Sequence, residues 1–179
     1  MFNPINIFDI IIDGHRAISG GSRIFAICIY WITPIIIASI LWHFGYYIPS
    51  NITSDVISGI GLFAGLMFTL LFVVTTNYKN RKQQLENDCN EETENYIRRY
   101  HAFTASAVAL ISYSIVKAGV IIFLTIVYNA LESITNSVKH DWVISLMSAF
   151  LEIFWIQFII VITRILREMY VMLYDDIEK

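Results

Sequence analysis

Residues 112–128 read SYSIVKAGVIIFLTIVY, an apolar stretch in which Lys117 is the only charged side chain. A stretch of this kind is typical of a membrane-spanning helix, which needs about 20 mostly apolar residues. The composition of the 179-residue chain agrees, with 56% hydrophobic and only 15% charged side chains. Because soluble domains carry about 25% charged residues, we expect an integral membrane protein of the all-α class.

Four windows of the sequence have the length and hydropathy of transmembrane spans: residues 24–42, 56–76, 103–128 and 142–165. Short polar connections follow the first and third windows, and helices joined in this way pack as antiparallel neighbours. The sequence therefore predicts four transmembrane helices arranged as two hairpins. The predicted organisation is an amphipathic N-terminal segment 1–23, a hairpin 24–76, a charged cytoplasmic loop 77–102, a second hairpin 103–165 and a tail 166–179.

Lysine and arginine are divided unequally between the two sides of these spans. Ten of the twelve basic residues precede span one, lie between spans two and three, or lie in the last residues of span four and in the C-terminal tail. The opposite loops hold only Lys139, and Lys117 lies within a span. Because short basic loops stay in the cytoplasm, both termini are predicted to be cytoplasmic. An aromatic belt is expected at the far boundary, from Trp42, Tyr46, Tyr47, Tyr128 and Trp142.

The N-terminal segment, MFNPINIFDIIIDGHRAISGGSR, carries apolar residues at helical spacing after Asn3 and Pro4. Proline favours the first turn of a helix, so this pattern predicts a short amphipathic helix. Its apolar residues are Ile5, Phe8, Ile11, Ile12 and Ile18. The helix either lies on the inner leaflet or packs on the protein's own cytoplasmic parts.

Charges in the loop 77–102 are sorted into blocks. The basic blocks are next to the membrane, where anionic headgroups attract them; they contain Lys79, Arg81, Lys82, Arg98 and Arg99. The acidic block between them is either a solvated helical hairpin or a docking point for a basic cytosolic partner. Its residues are Glu86, Asp88, Glu91, Glu92 and Glu94.

Two of the spans carry helix-shaping residues. Gly61 and Gly65 have the four-residue spacing that lets two membrane helices approach closely, within one subunit or between copies. Pro34 removes a backbone hydrogen bond in span one. It is either a hinge or a residue that only shapes the packing.

Lys117 and Glu152 fall at a common depth in spans three and four. Counted from the outer boundary, Lys117 lies about 16 Å deep and Glu152 about 15 Å. An isolated charge at the bilayer centre costs at least about 2.5 to 3.5 kcal/mol, so we expect the two to form an ion pair. The pair either locks the hairpin, lines a wet path through an oligomer, or acts as a two-state latch. Gln157 is turned about 140° from Glu152 and is predicted to face a different helix or subunit.

Motifs of catalysis are missing from the sequence, which has no phosphate-binding glycine loop, no G-x-S-x-G, no H-E-x-x-H and no C-x-x-C. The four histidines fall at predicted membrane boundaries, where interfacial positions explain them better than metal binding. We therefore expect a protein that is not an enzyme and has no catalytic residues, metal or cofactor. The near-balanced charge of the cytoplasmic face indicates no direct contact with nucleic acid.

In size and layout the chain resembles the small four-span membrane proteins of bacterial anti-phage defence, in particular the KwaA family, the membrane subunits of Kiwa systems. The resemblance rests on the four spans, the inward termini and the charged loop containing RKQQLENDCNEETENYIRR (81–99). It implies a homo-oligomeric sensor or scaffold in the bacterial inner membrane. It also implies a cytosolic DNA-binding effector, similar to KwaB, that the sensor recruits or regulates.

Two other functions fit the same sequence. A pore-forming effector would line a channel with Lys117 or Glu152 and depolarise the cell, and a structural subunit would only support a larger membrane complex. Self-association, most simply as a tetramer, is expected because a four-span subunit carries both Gly61/Gly65 and Gln157.

Overall fold

A computed structural model of the chain describes residues 7–19, 24, 27–46, 48–85, 91–135 and 142–177, without the side chains of residues 50, 51, 84, 85, 91–95, 134, 135 and 172–177. All regular elements in these ranges are helices. They are α1 (Ile7–Ser19), a π-helical turn π1 (Cys28–Ile32), α2 (Thr33–His43), α3 (Ser50–Leu85), α4 (Glu91–Thr135) and α5 (Trp142–Ile177). The predicted all-α class is confirmed for this part of the chain.

Helices α3, α4 and α5 are long and apolar enough to cross a membrane. The predicted windows two, three and four lie inside them. Helices α3 and α4 continue beyond their apolar windows into polar sequence with Lys, Arg, Glu and Gln, which are strong helix formers in water, and α5 continues through Arg167 and Glu168. Large apolar side chains remain exposed along them, including Phe72, Phe123 and Ile159, at 73%, 66% and 63%. Such surface suits lipid and not water, and the chain is an all-helical, multi-pass membrane protein.

The first predicted window folds as π1 followed directly by α2. Together Cys28–His43 form a shorter apolar helix, which rises about 24 Å at most, against about 30 Å of hydrocarbon. The π turn has a local cause. Pro34 has no N–H to donate to Tyr30, and its ring would clash with that carbonyl in an α-helix. The chain widens instead, so that the N–H of Thr33 donates to the carbonyl of Cys28, five residues earlier.

Helix α2 ends where Gly45 adopts φ 70°, a conformation that favours glycine. The N–H of Gly45 donates to the carbonyl of Trp42, and the N–H of Tyr46 donates to that of Leu41, both at 3.0 Å. This pair of bonds is a Schellman motif, which satisfies carbonyls that the helix end leaves free.

The chain divides into two compact units, each of which contains parts of the long helices. Unit one comprises Met1–Ile18, Gly65–Ile115 and Val161–Lys179. In it, Gly14 of α1 is packed against Tyr113 of α4. Tyr78 of α3 stacks on Tyr100 of α4, with ring centroids 6.1 Å apart. Helices α3 and α4 are therefore neighbours near the polar loop that joins them.

Unit two comprises Ser19–Ala64 and Val116–Ile160. Its apolar core is formed by Ile48, Tyr128 and Leu151, which are at most 1% exposed. Partly buried side chains pack around these three, namely Leu124, Ile144, Met147 and Trp155. Unit two also contains the candidate functional site.

Candidate functional site

The side chain of Lys117 is the centre of a buried polar cluster in unit two. Lys117 lies on α4 and is 5% exposed. Its ammonium donates to the hydroxyl of Tyr30 on π1 and to Oε1 of Gln157 on α5, both at 2.6 Å. Hydrogen bonds from a charged donor are short and roughly twice as strong as neutral ones. Through Lys117, three elements of the chain meet at one cation.

Three further contacts belong to this group. Nε2 of Gln157 donates to the backbone carbonyl of Tyr30 at 3.2 Å, which closes a triangle between the three residues. The ammonium also lies 4.8 Å from the ring centre of Tyr30 and 5.2 Å from that of Phe154. Aromatic faces attract a cation at this range, and more strongly in a desolvated place. We refer to Lys117, Tyr30, Gln157 and Phe154 as the Lys117 cluster.

Glu152 is buried on α5, at 6% exposure, but it has different partners. Its Oε1 accepts a long hydrogen bond of 3.5 Å from the hydroxyl of Ser148, and its Oε2 has no hydrogen-bond partner. The ion pair between Lys117 and Glu152 stays a prediction, and the two hydrogen bonds described for the ammonium go to neutral groups. One of these groups is Gln157, which lies on another side of α5 from Glu152 and is turned toward Lys117.

Three polar contacts at the other end of unit two attach the segment after π1 to α4 and α5. The hydroxyl of Tyr128 donates to the carbonyl of Ile48 at 2.8 Å, and the N–H of Ile48 donates to the hydroxyl of Ser148 at 3.0 Å. Nε1 of Trp42 donates to the hydroxyl of Ser145 at 2.7 Å. Tyr128, expected in a lipid-facing aromatic belt, is fully buried and serves as a connection between segments.

The structure describes some of the remaining predicted site residues. Gly61 and Gly65 are exposed, and a Cβ added at either would meet no atom within 4 Å. Pro34 is buried at the start of α2. Of the predicted headgroup-binding residues, Arg81 is half-buried and the others are exposed: Lys79, Lys82, Arg98 and Arg99. The acidic docking residues lie outside the described residues or have undescribed side chains: Glu86, Asp88, Glu91, Glu92 and Glu94.

Histidines in the described residues contact aromatic rings. The ring of His15 meets Tyr113 edge-on, and that of His101 meets Tyr78 in the same way. No group of three or more His, Cys, Asp or Glu side chains that would hold a metal ion occurs within the described residues.

Tyr30 and Phe154 are the residues of the site that the sequence did not single out. A signal for Tyr30 exists, because its hydroxyl interrupts the apolar run CIYWI (28–32) and a buried hydroxyl needs a partner. Phe154 has no such signal, since phenylalanine is common throughout the spans.

Comparison with known proteins gives no further assignment. Neither a protein-family model, nor a curated protein, nor a solved structure matches this chain. Its function has to be argued from the Lys117 cluster and from the distribution of charge and apolar surface.

Proposed function

We propose that this chain is a homo-oligomeric sensor or scaffold subunit of the bacterial inner membrane that recruits or regulates a cytosolic DNA-binding effector in anti-phage defence. The observation that carries the proposal is the buried ammonium of Lys117, bound by Tyr30 of π1 and Gln157 of α5 at 2.6 Å. The resemblance to Kiwa membrane subunits supplies the defence role, which the cluster itself does not specify.

A cation held in this way is suited to sense the state of a membrane. Both hydrogen bonds depend on the position of π1 and α5 relative to the same lysine. A bilayer disturbance that moves π1 away removes the Tyr30 hydroxyl and the carbonyl that fixes Gln157. The ammonium then needs water or a new partner, because a bare charge in hydrocarbon costs at least about 2.5 to 3.5 kcal/mol. The cluster therefore has two distinct states, as a switch requires.

The proposed topology has four spans and cytoplasmic termini. It requires the short helix Cys28–His43 to cross the bilayer together with flanking residues, alongside the three long helices. The unequal distribution of basic residues supports it. Self-association, as a tetramer, is supported by the open space at Gly61 and Gly65, since close helix contacts within the chain do not use these glycines.

The test combines co-purification with a functional assay in bacteria. We expect the tagged chain to co-purify with the product of its neighbouring gene in mild detergent and to protect cells from phage. The double variant Lys117→Met/Gln157→Leu should fold and bind this partner but fail to protect, because it lacks the charge that makes release costly. Full protection by a folded double variant would refute the switch, and lack of any soluble partner would refute the recruiting role.

A pore-forming effector is the second candidate, favoured by the buried Glu152 carboxylate whose Oε2 has no hydrogen-bond partner. A carboxylate of this kind is costly in a dry interior and suits a wet path. Vesicles containing only this protein distinguish the two candidates. Dye leakage that depends on Glu152, and is lost in Glu152→Gln, supports the pore, whereas tight vesicles support the sensor.

A further inference from the structure

We propose that α1 lies in the plane of a membrane surface and docks on lipid through Phe8 and Ile12, while its opposite side is attached to α4. The inference rests on the arrangement of three kinds of side chain around α1. It concerns unit one alone and holds whether or not the Lys117 cluster is a switch.

The first sector of α1 contacts the protein. Gly14 is buried, and a Cβ added there would lie 2.5 Å from Cβ of Tyr113. The ring of His15 meets the Tyr113 ring edge-on, with centroids 5.4 Å apart. Only glycine permits this approach, so α1 is attached to α4 by backbone contact. Most residues near Gly14 on the helix wheel are half-buried, namely Ile10, Ile11, Ala17 and Ile18, whereas Ile7, at the N-terminal end of α1, is 61% exposed.

The second sector is charged and faces away from the protein. Asp9, Asp13 and Arg16 are exposed and fall within about 60° of one another at 100° per residue. Asp13 and Arg16 form an ion pair of 3.4 Å, with side chains 57% and 79% exposed. Such a sector needs water or headgroups.

The third sector is apolar and exposed, and it lies between the other two. Phe8 is 69% and Ile12 55% exposed, and they are about 40° apart on the helix wheel. An apolar stripe next to a charged one is the pattern of a helix that lies at the boundary between hydrocarbon and water. Around α1, the sector that contacts protein is followed by the apolar sector and then by the charged sector. A helix that lies between hydrocarbon and water and also borders a membrane-spanning helix needs its sectors in this order.

Lipid is the occupant that the contacts of α1 favour. Tyr113 lies within the apolar window 103–128 of α4, a helix that is long and apolar enough to cross a membrane. Whatever is attached to Tyr113 therefore borders the bilayer. Helix α1, with 13 residues, rises only about 20 Å and is too short to cross. Its two acidic side chains outnumber its one basic side chain, so apolar contact, and not attraction to anionic headgroups, has to hold it there.

Spin labels test this arrangement in the full chain. Single cysteines replace Phe8, Asp9, Ile12 or Asp13 in turn, in a background without Cys28 and Cys89, and the labelled protein is placed in phosphatidylcholine vesicles. Accessibility to oxygen, which concentrates in hydrocarbon, is compared with accessibility to a water-soluble nickel chelate. We expect labels at 8 and 12 to favour oxygen and labels at 9 and 13 to favour nickel. Addition of phosphatidylglycerol should change neither result.

Three outcomes would overturn the proposal. Equal nickel accessibility at 8, 9, 12 and 13 would mean that α1 is surrounded by water. Shielding of 8 and 12 from both reagents would mean that protein, such as a second copy, covers them. A requirement for phosphatidylglycerol would mean that charge holds the helix. As a control for the attachment, Gly14→Leu should detach α1 and mobilise the label at position 8, while Ala17→Leu should have a smaller effect.

Discussion

At the scale of single residues, the central feature is the buried ammonium of Lys117, which donates to neutral oxygens of Tyr30 and Gln157. A buried ion pair is often no more stable than an apolar replacement, and a buried ammonium with neutral acceptors has less compensation still. The proposed function gives this ammonium a role other than stability. Substitutions can separate this role from stability, because removing the donor, Lys117, and removing an acceptor, Gln157, have different effects on the free energy of unfolding.

Gln157→Leu should be more destabilising than Lys117→Met. The leucine leaves the ammonium in place with one acceptor fewer, and a hydrogen bond to a charged group contributes about 1.5 to 3 kcal/mol. The methionine removes the charge together with its desolvation cost. In thermal unfolding of the detergent-solubilised protein, the double variant should be more stable than Gln157→Leu alone. If Lys117→Met lowers the unfolding midpoint as much as Gln157→Leu and the double variant is worse than both, the cluster is not organised around the charge.

The coupling energy should be larger for Lys117 and Gln157, which share a hydrogen bond, than for Lys117 and Glu152, which lie at a similar depth in their helices. A double-mutant cycle of Lys117→Met with Gln157→Leu should give a coupling energy of about 0.5 to 3 kcal/mol, the range of residues in one network. The cycle of Lys117→Met with Glu152→Gln should give a smaller value. Glu152→Gln alone should be tolerated, because it replaces a carboxylate that has an unpartnered oxygen. A larger coupling for the Lys117 and Glu152 cycle would restore the direct ion pair predicted from the sequence.

At the scale of elements, the sequence predicted the long helices well but did not identify the contacts of Lys117 with Tyr30 and Gln157. The apolar windows of α3, α4 and α5 are visible because lipid demands about 20 apolar residues. The partner of Lys117 was not visible, since it depends on which way each helix is turned. A π turn widens the helix before Pro34 and so changes the direction of Tyr30. Hydropathy contains no information on such a change.

Pro34→Ala tests whether this π turn positions Tyr30. Proline in a helix interior is usually about 3 kcal/mol less favourable than alanine, so the substitution would ordinarily stabilise the protein. Here it should allow Cys28–Ile32 to become α-helical and turn Tyr30 by up to about 100° relative to α2, away from Lys117. We therefore expect little gain in the unfolding midpoint.

The effect of Tyr30→Phe provides the readout for Pro34→Ala. In the wild-type background the phenylalanine removes the hydroxyl that binds Lys117 and should lower the unfolding midpoint. In the Pro34→Ala background it should have almost no effect. Ser39→Ala, on the exposed side of α2, is the matched control and should leave the effect of Tyr30→Phe unchanged. An equal effect of Tyr30→Phe in all three backgrounds would show that the π turn does not position Tyr30.

At the scale of the whole molecule, the number of crossings decides where the N-terminus lies. Three long helices alone place the N-terminus opposite to Cys89, whereas a fourth crossing by Cys28–His43 places both on one side. Cysteines introduced at Asn51 and Asn136 lie on the same side in either case and serve as positive controls. With both native cysteines removed, each of these should react with an impermeant thiol reagent in intact cells. With Cys28 alone removed, Cys89 should not react.

Asp9→Cys is the variant that distinguishes the two topologies. It lies in the exposed charged sector of α1, so a thiol there is reachable on whichever side α1 is found. Four spans predict that it reacts only after the cells are permeabilised, as Cys89 does. Labelling of position 9 in intact cells would reduce the topology to three crossings and place α1 on the outer surface.

Self-association should depend on the glycine face of α3. Gly65→Ile is informative because an added Cβ at Gly65 meets no atom within 4 Å beyond the adjacent backbone of its own helix, and isoleucine is a better helix former than glycine. The subunit fold should therefore tolerate the change, and a loss of particle mass under mild detergent would reflect contacts between copies.

Gly59 has the same open space but lies more than 100° away from both Gly61 and Gly65 on the helix wheel, at about 100° per residue. Gly59→Ile should thus leave the mass at the wild-type value, expected to be that of a tetramer. A monomeric wild-type particle, or equal loss of mass in both variants, would exclude the glycine face as the contact between copies.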